Sequence, residues 1–174
     1  MRRGAYPGSF NPPTLAHLAI VDAARVTHGL DHVDLIVSRI ALGKPNPVGP
    51  TFDERVEVLD AMSRRVGGVA VVVTDSQLVA ELAAGYDVVI MGADKWHQVN
   101  DPAFYDSIEA RDEAVAGLPT VAVAPRPPWP VPDELALHID ESWHAASSTA
   151  ARGGAIDLMV PEAAALTRAR GAWR

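Results

Sequence analysis

The sequence predicts an α/β fold, namely a doubly wound parallel sheet of about five strands with helices on both faces. Three observations lead to this prediction. Short apolar stretches rich in valine and isoleucine alternate with segments in which apolar residues recur at helical spacing. Strands of this composition are typical of parallel sheets that are buried on both faces. The 174 residues suit one domain, predicted over residues 1–174, because no internal repeat or linker divides the chain.

The predicted elements follow one another in a regular order. Strands are predicted at residues 4–6, 33–38, 69–73, 86–91, 120–124 and, as a short last strand, 136–139. Helices are predicted at residues 14–28, 76–84 and 108–116, after a capping box at residues 51–54, and from Ser148 and Pro161 onwards. Ligands of such sheets bind beyond the carboxyl ends of the strands. The loops at residues 7–14, 39–50, 92–101 and 125–132 are therefore the expected ligand-binding loops.

Composition argues against several classes of protein. The net charge is −7, and a general nucleic-acid-binding surface would be basic. The absence of cysteine excludes disulfides, thiolate metal sites and cysteine nucleophiles. The N-terminal residues lack the apolar stretch of a secretory signal, and no apolar run approaches the roughly 20 residues that span a membrane. We therefore expect a cytoplasmic protein that binds neither nucleic acid nor membranes, while homo-oligomerisation stays open.

The loop between the first strand and the first helix carries the strongest local signal, GSFNPPTLAH over residues 8–17. Gly8 allows the backbone to approach a ligand closely. Thr14 is a suitable N-cap, and helix N-termini bind anions through free N–H groups and the helix dipole. Thr14 and His17 are three residues apart, so both can face one phosphate. The alternative is a capped helix with a surface histidine, since the loop is neither a Walker P-loop nor a G-x-G-x-x-G loop.

A second anion-binding helix start is predicted at residues 147–152. Ser147 or Ser148 is suited to cap the helix, Thr149 adds a hydroxyl, and Arg152 adds a permanent positive charge one turn later. Free N–H groups, hydroxyls and a guanidinium together favour the binding of a phosphate. Such a segment by itself is commonly only a helix cap, and its pairing with the first loop makes it informative.

The two segments together resemble the nucleotidylyltransferase superfamily with an [HT]-x-G-H motif. Residues 5–17 resemble the opening of its adenylyl- and cytidylyltransferases, especially phosphopantetheine adenylyltransferase, with Ala16 in place of the family glycine. Residues 144–152 resemble the family segment I-S-S-T-x-x-R, with Ala146 in place of the isoleucine. Residues 91–96 resemble the G-x-D element of nicotinate-mononucleotide adenylyltransferases, and residues 157–173 resemble their closing segment.

The resemblance implies a Rossmann-like fold and an adenylyltransferase activity. AMP would move from ATP, bound with Mg²⁺, to the phosphate of a small acceptor, and pyrophosphate would be released. The main expectation for the acceptor is nicotinate mononucleotide, as in NAD biosynthesis. The alternatives are phosphopantetheine, as in coenzyme A biosynthesis, a cytidylyltransferase reaction, or a non-catalytic nucleotide-binding relative.

The resemblance also implies roles for particular residues. The implied catalytic residues are His17, Thr14 and Arg152. The implied nucleotide-binding residues are Gly8, Ser9, Phe10, His17, Gly92, Asp94, Ser147, Ser148, Thr149 and Arg152. The candidate acceptor-binding residues are Lys44, Arg55, Ser76, Trp96 and Arg126, and no residue is expected to ligate Mg²⁺ directly. The alternatives are helix caps at Asp94 and Ser76, a core position for Trp96, and ordinary solvated charges at Lys44 and Arg55.

Overall fold

A five-stranded parallel sheet forms the centre of the computed structural model, which describes residues 1–40 and 49–173. Its strands are β1 (Arg3–Pro7), β2 (His32–Ser38), β3 (Val69–Thr74), β4 (Val88–Gly92) and β5 (Thr120–Ala124). They lie in the order β3-β2-β1-β4-β5, and every neighbouring pair is parallel. The order of the strands reverses beside β1, so a ligand crevice is expected at the carboxyl ends of β1 and β4. The predicted Rossmann-like α/β fold is confirmed.

The described residues form seven α-helices, of which the first five lie between successive strands and the last two follow β5. They are α1 (Leu15–His28), α2 (Phe52–Val66), α3 (Val79–Leu82), α4 (Ala93–Asn100), α5 (Ile108–Ala116), α6 (Ser148–Arg152) and α7 (Pro161–Arg170). The predicted capping box begins α2: the Glu54 N–H donates to Thr51 Oγ1 at 3.2 Å, and the Thr51 N–H donates to the Glu54 carboxylate at 2.9 Å. None of the described helices is long and apolar enough to cross a membrane.

The two faces of the sheet bury separate apolar cores. Successive side chains of a strand point to opposite faces, so Leu35 belongs to the first core and Ile36 to the second. Residues of α1, α2 and α7 pack into the first core, and residues of α3 and α4 pack into the second. Helices therefore cover both faces of the sheet, as predicted.

The helix predicted at residues 76–84 is limited to the single turn of α3. The chain leaves β3 through a bend in which the Ser76 N–H donates to Thr74 Oγ1 at 3.1 Å. Hydroxyl groups that bind nearby backbone N–H groups compete with helix formation. On the other side, Gly85 adopts a left-handed φ of 81°, where the chain turns towards β4. The prediction is therefore wrong for the ends of this helix.

The last predicted strand, at residues 136–139, is reduced to one isolated bridge between Ala136 and Val123. The Val123 N–H donates to the Leu135 carbonyl and the Leu137 N–H donates to the Val123 carbonyl, each at 2.8 Å. Leu137 is buried in the first core. The chain then leaves the edge of β5, so the ladder does not continue and the strand prediction is wrong.

Helix α4 lies where the sequence predicts a ligand-binding loop. It begins directly after β4, without a linker. Its apolar residues Ala93, Trp96 and Val99 recur every third position and pack into the second core. The helix has eight residues with only three apolar positions. This pattern is too short for its periodicity to distinguish a helix from a loop.

A buried carboxylate lies near the amino ends of the strands, away from the crevice. The Tyr86 hydroxyl and the Arg3 guanidinium donate to Asp34 Oδ2 at 2.7 and 2.5 Å. His32 Nε2 lies 3.0 Å from Asp34 Oδ1. Burial by itself would raise the pKa of Asp34, but the hydrogen bonds from Tyr86 and Arg3 outweigh burial and hold this pKa below its usual value. The network therefore stabilises the folded chain only while Asp34 is ionised.

Replacement of Asp34 by alanine is expected to lower the free energy of unfolding at neutral pH by about 1–3 kcal/mol, because its half-buried partners lose their acceptor. The lowered pKa means that this contribution is present above the unfolded-state pKa of about 4 and is lost as the pH falls through the folded-state value. Urea unfolding of the two proteins at several pH values measures the difference. The control is Asp112→Ala, which removes an exposed ion pair with Arg111 and should cost about 0–1 kcal/mol. Equal losses in the two variants would contradict the prediction.

Candidate functional site

The loop between β1 and α1 lies at the crevice beside the central strand. The Gly8 N–H donates to the Ile36 carbonyl of β2 at 3.0 Å. Phe10 adopts a positive φ of 42°, which is uncommon for a residue other than glycine. Its ring turns back into the first core and is buried. The ring therefore supports the loop from within the core, and the whole residue is 2% exposed.

His17 is held in one orientation by the residue that precedes α1. The backbone N–H of Thr14 donates to His17 Nδ1 at 2.9 Å, and Thr14 Oγ1 lies 2.9 Å from the same atom. Because Nδ1 accepts the amide hydrogen, the neutral ring carries its proton on Nε2. Thr14 is 0% exposed, so it lies behind His17 and positions the ring.

The ring of His17 is neutral at physiological pH. Burial and, after it, the positive charge of Arg126 lower the pKa of His17 from 6.5 to about 4. Arg126 follows β5. Its guanidinium is close enough to the start of α1 for its charge to act on the His17 ring. The neutral ring can donate its Nε2–H to an anion without carrying a charge of its own.

The Phe10 ring supports both His17 and the backbone at Gly8. Its centroid lies 5.0 Å from that of His17 and 5.3 Å from that of Tyr6, each in an edge-on arrangement. A Cβ atom at Gly8 would lie 2.9 Å from Cζ of the Phe10 ring, closer than side chains approach one another. From the sequence, Gly8 is expected to allow close approach of a ligand. In the folded loop, the ring of Phe10 fills the space beside it.

Replacement of Gly8 by alanine is expected to lower the free energy of unfolding by about 1–3 kcal/mol, because the buried ring of Phe10 has to move. Urea unfolding measures the loss. The additional change Phe10→Leu makes room for the new methyl group, so the double variant should lose less than the sum of the two single losses. The control is Gly117→Ala, where a Cβ atom would meet its nearest neighbour at an ordinary 3.4 Å. Additive losses, or equal losses at Gly8 and Gly117, would contradict the prediction.

The start of α6 lies directly against the first loop, although 136 residues separate the contacting groups in sequence. The Ser148 hydroxyl donates to the Pro12 carbonyl at 2.7 Å. Ser147 is the N-cap, and its hydroxyl accepts the Ala150 N–H at 3.0 Å. The sequence leaves open which of the two serines caps the helix, and the structure divides the roles between them.

Arg152 connects α6 to the first loop from the side. Its guanidinium donates to the Asn11 carbonyl through Nη1 and to Thr149 Oγ1 at 3.2 Å through Nη2. The side chain is otherwise exposed. The two predicted anion-binding segments are thus brought together, because Ser148 and Arg152 donate to the backbone of the loop that precedes His17.

Arg126 and the start of α4 complete the crevice. Arg126 Nη2 donates to the Ala146 carbonyl at 3.3 Å, and its Nη1 lies 3.8 Å from Asp94 Oδ1. Asp94 lies in the first turn of α4, so the cap of this helix is Gly92 and not Asp94. A Cβ atom at Gly92 would lie 2.8 Å from Asp94 Oδ1. A side chain at position 92 would therefore displace the carboxylate of Asp94 from its place beside Arg126.

Arg55 is a buried cation beside the first loop. It is 9% exposed, and its Nη1 donates to the Ser9 carbonyl at 3.2 Å. Within residues 1–40 and 49–173, Arg55 Nε has no hydrogen-bond partner, and no carboxylate forms an ion pair with this side chain. Burial lowers the pKa of Arg55. This environment differs from the solvated charge that is the alternative interpretation of Arg55.

The other candidate acceptor-binding residues are not gathered at this point. Ser76 follows β3, at the edge of the sheet, two strands away from β1. Trp96 packs against the second core, which is the alternative interpretation of this residue. Lys44 lies outside the described residues.

Three residues of this region are missed by the sequence analysis. Asn11 accepts hydrogen bonds through both its backbone and its side chain, and one of the donors is Trp173. His144 lines a cleft of about 400 Å³ beside Arg126, and its Nε2 is buried without a hydrogen-bond partner in the described part of the chain. All three positions lie within segments that the sequence singles out, but nothing in those segments relates the three side chains to one another, because their contacts exist only in the folded chain.

The loop, the helix start and the G-x-D element all lie in a stretch that matches a known protein family. The cytidylyltransferase-like family matches residues 5–154. The chain belongs to this family. The resemblance to the nucleotidylyltransferase superfamily is confirmed, and with it the predicted enzyme class, a nucleotidyltransferase. The matched range contains both anion-binding segments and ends before α7.

The individual proteins that the chain is similar to are adenylyltransferases, in agreement with the family match. A phosphopantetheine adenylyltransferase of Rhizorhabdus wittichii is 29% identical over 168 residues, which cover 93% of this chain and 89% of that enzyme. Phosphopantetheine adenylyltransferases of two Cereibacter sphaeroides strains are 34% identical over 99 residues, which cover 53% of this chain and 57% of theirs. The match thus spans little more than half the length of the Cereibacter enzymes and nearly all of the Rhizorhabdus enzyme.

Proposed function

We propose that the chain transfers AMP from ATP to the phosphate group of a small acceptor and releases pyrophosphate. One observation carries the proposal: Ser148 and Arg152 of α6 bind the backbone of the loop that holds His17. In the proposal, the hydroxyls and the guanidinium of α6 and the neutral imidazole of His17 act on one bound ligand. Such a set of donors suits a polyphosphate, which offers only acceptors.

In the proposed reaction, an oxygen of the acceptor phosphate attacks the α-phosphorus of ATP. A new P–O bond forms at this atom while its bond to the bridging oxygen breaks, and pyrophosphate leaves with the electron pair. The attacking oxygen already carries negative charge, so no general base has to deprotonate it. Catalysis then depends on positioning the two phosphates and on stabilising the charge of the transition state.

Each residue of the crevice has a proposed part in this reaction. His17 donates from Nε2 to the non-bridging phosphate oxygens, and Thr14 maintains its orientation. Arg152 and Thr149 hold the leaving pyrophosphate. Arg55 is our candidate for the acceptor phosphate, because its guanidinium is buried, its Nε has no partner among the residues that the structure describes, and an anion would stabilise it.

Mg²⁺ is proposed to enter with ATP, and it supplies charge neutralisation on the triphosphate. The fit can be judged from the donors near the crevice. No three carboxylate or histidine side chains of the described residues come together to ligate a metal ion. Asp94, whose side chain is 51% exposed, is the residue proposed to bind the water shell of an ion that is carried by the phosphates.

Phosphopantetheine is the acceptor that we place first. The named relatives are phosphopantetheine adenylyltransferases, and they favour this alternative over nicotinate mononucleotide, the main expectation from the sequence. Nicotinate mononucleotide stays a second candidate because of one observation. The G-x-D element at the end of β4 has its carboxylate beside Arg126 at the crevice, in keeping with the resemblance of residues 91–96.

The test is pyrophosphate release with Mg²⁺ and ATP, run separately with phosphopantetheine, nicotinate mononucleotide and nicotinamide mononucleotide, and repeated with CTP in place of ATP. Release with ATP and phosphopantetheine is the expected result. Release with another pair would replace the acceptor or the nucleotide and keep the transferase. Protein that binds ATP but releases no pyrophosphate in any arm would contradict the proposed activity.

A further inference from the structure

The family match ends at residue 154 and does not cover the C-terminal segment. The last described residue of this segment, Trp173, contacts the loop between β1 and α1. Trp173 follows the left-handed turn at Gly171 that ends α7. Its indole is 2% exposed and lies in the first core. The indole Nε1–H donates to Asn11 Oδ1 at 2.5 Å. A buried hydrogen bond therefore joins two residues that are 162 positions apart.

Asn11 is the point at which separate parts of the chain meet the loop. Its side chain, 5% exposed, accepts the hydrogen of Trp173. Its backbone carbonyl accepts a hydrogen bond from Arg152 of α6. Two residues further on, the Pro13 carbonyl accepts the Val160 N–H at 3.2 Å. The C-terminal segment thus holds the loop at two places, and α6 holds it between them.

The position of Asn11 is transmitted to His17 through a stiff connection. Asn11 is followed by two prolines and then by Thr14, whose N–H fixes Nδ1 of His17. Proline rings restrict φ, so these residues absorb little of a displacement of Asn11. A shift of Asn11 therefore moves the donor that orients the imidazole.

The indole of Trp173 also lies close to the residue that precedes α2 by a few positions. A Cβ atom at Gly49 would lie 3.6 Å from Trp173 Cδ1 and 3.1 Å from the Ala172 carbonyl. Gly49 precedes α2, which carries Arg55. Trp173 is therefore hydrogen-bonded to the loop that leads to His17 and lies near the segment that leads to Arg55.

We propose that Trp173 is a positioning residue for the transfer reaction, which it serves by fixing Asn11 and, through Asn11, the Thr14–His17 pair. The kinetic part of this inference rests on the proposed function, because it concerns the same crevice. The structural part can be tested without any reaction, by the state of the His17 ring.

The test compares Trp173→Phe, which keeps an aromatic ring and removes the N–H donor, with Asn11→Ala and with the double variant. Each single change is expected to lower kcat on the order of tenfold, since one buried hydrogen bond is lost. The double variant should be no slower than either single variant, because both remove the same interaction. The ¹⁵N spectrum of His17 should change from the Nε2–H tautomer towards a mixture in each variant.

The matched control is Glu162→Gln, which weakens the ion pair between α7 and Arg65 of α2 and leaves Asn11 untouched. It should lower the melting temperature without changing kcat or the spectrum of His17. The proposal is overturned if Trp173→Phe changes only the melting temperature, or if the kinetic losses at Asn11 and Trp173 multiply. If the wild-type protein releases no pyrophosphate, the proposed function fails, and an unchanged His17 spectrum in Trp173→Phe would separately overturn the positioning role.

Discussion

Replacement of His17 by alanine is expected to lower kcat for pyrophosphate release on the order of 10²–10³-fold, with a smaller change in the KM for ATP. The reason is that the Nε2–H group donates to oxygens whose charge and position change in the transition state, whereas the ground-state triphosphate keeps its other donors. Steady-state pyrophosphate release with the acceptor that the panel identifies measures the effect.

The matched variant is His17→Gln, whose amide nitrogen can replace Nε2 as a donor but offers no ring to the Phe10 edge or to the Thr14 N–H. It should retain more activity than the alanine variant. Urea unfolding of both variants separates a loss of rate from a loss of folded protein. An alanine variant with full turnover would remove His17 from the mechanism.

The titration of His17 gives an independent check on its state. Its pKa is lowered to about 4, so its NMR shifts should not titrate between pH 5.5 and 7.5, about where an unperturbed histidine titrates. The sign for stability follows from the same shift. The unfolded chain binds a proton below pH of about 6.5 and the folded chain does not, so this site stabilises the fold above that pH and loses its contribution as the pH falls towards the folded-state value. A titration midpoint near the usual value would contradict the partly buried, Nε2-protonated ring.

Replacement of Arg152 by alanine is expected to lower kcat by roughly 10²-fold. Arg152 is the cation that binds the Asn11 carbonyl and Thr149, and its proposed partner is the leaving pyrophosphate. Alanine removes both the charge that stabilises the leaving group and one support of the first loop. The rate of pyrophosphate release at saturating ATP measures the loss.

The variant Arg152→Lys separates the charge from the geometry. Lysine keeps the positive charge, but a single ammonium group cannot reproduce the two-pronged contact of the guanidinium. An intermediate rate is therefore expected, closer to wild type if the charge dominates. The prediction fails if the alanine variant is as fast as wild type, or if raising the ATP concentration alone restores its rate, since the residue would then contribute only uniform binding.

Much of the fold could be predicted because its elements are encoded locally. The strand predicted at residues 33–38 lies within β2, and the helix predicted at residues 108–116 has the bounds of α5. The order of the strands could not be read from these stretches, because the pairing of β1 with β4 depends on contacts between Ala5 and Val89. Pattern also failed for α4, whose apolar residues are few.

The candidate site could be predicted where chemistry and local geometry coincide. The spacing of Thr14 and His17 on a helix start led to the prediction that both face one phosphate, whereas Thr14 is buried and directs the ring of His17. Asn11 and Trp173 could not be predicted, since a single amide and a single indole carry no spacing that relates them. The buried state of Arg55 likewise depends on the packing of α2 against the loop and not on its neighbours in sequence.

The hydrogen bond between Asn11 and Trp173 can form only late in the synthesis of the chain, because 162 positions separate the two residues. Ribosomes release the N-terminal part of a chain first, so β1 and its loop emerge long before their last partner, and all five strands are complete by residue 124. A nascent chain at that stage contains every strand but lacks α6, the part of the first core that α7 contributes, and the indole. The loop that would grip a nucleotide therefore matures only after synthesis has passed residue 173, and prematurely terminated chains are expected neither to sequester nucleotide nor to compete with the finished enzyme for its substrates.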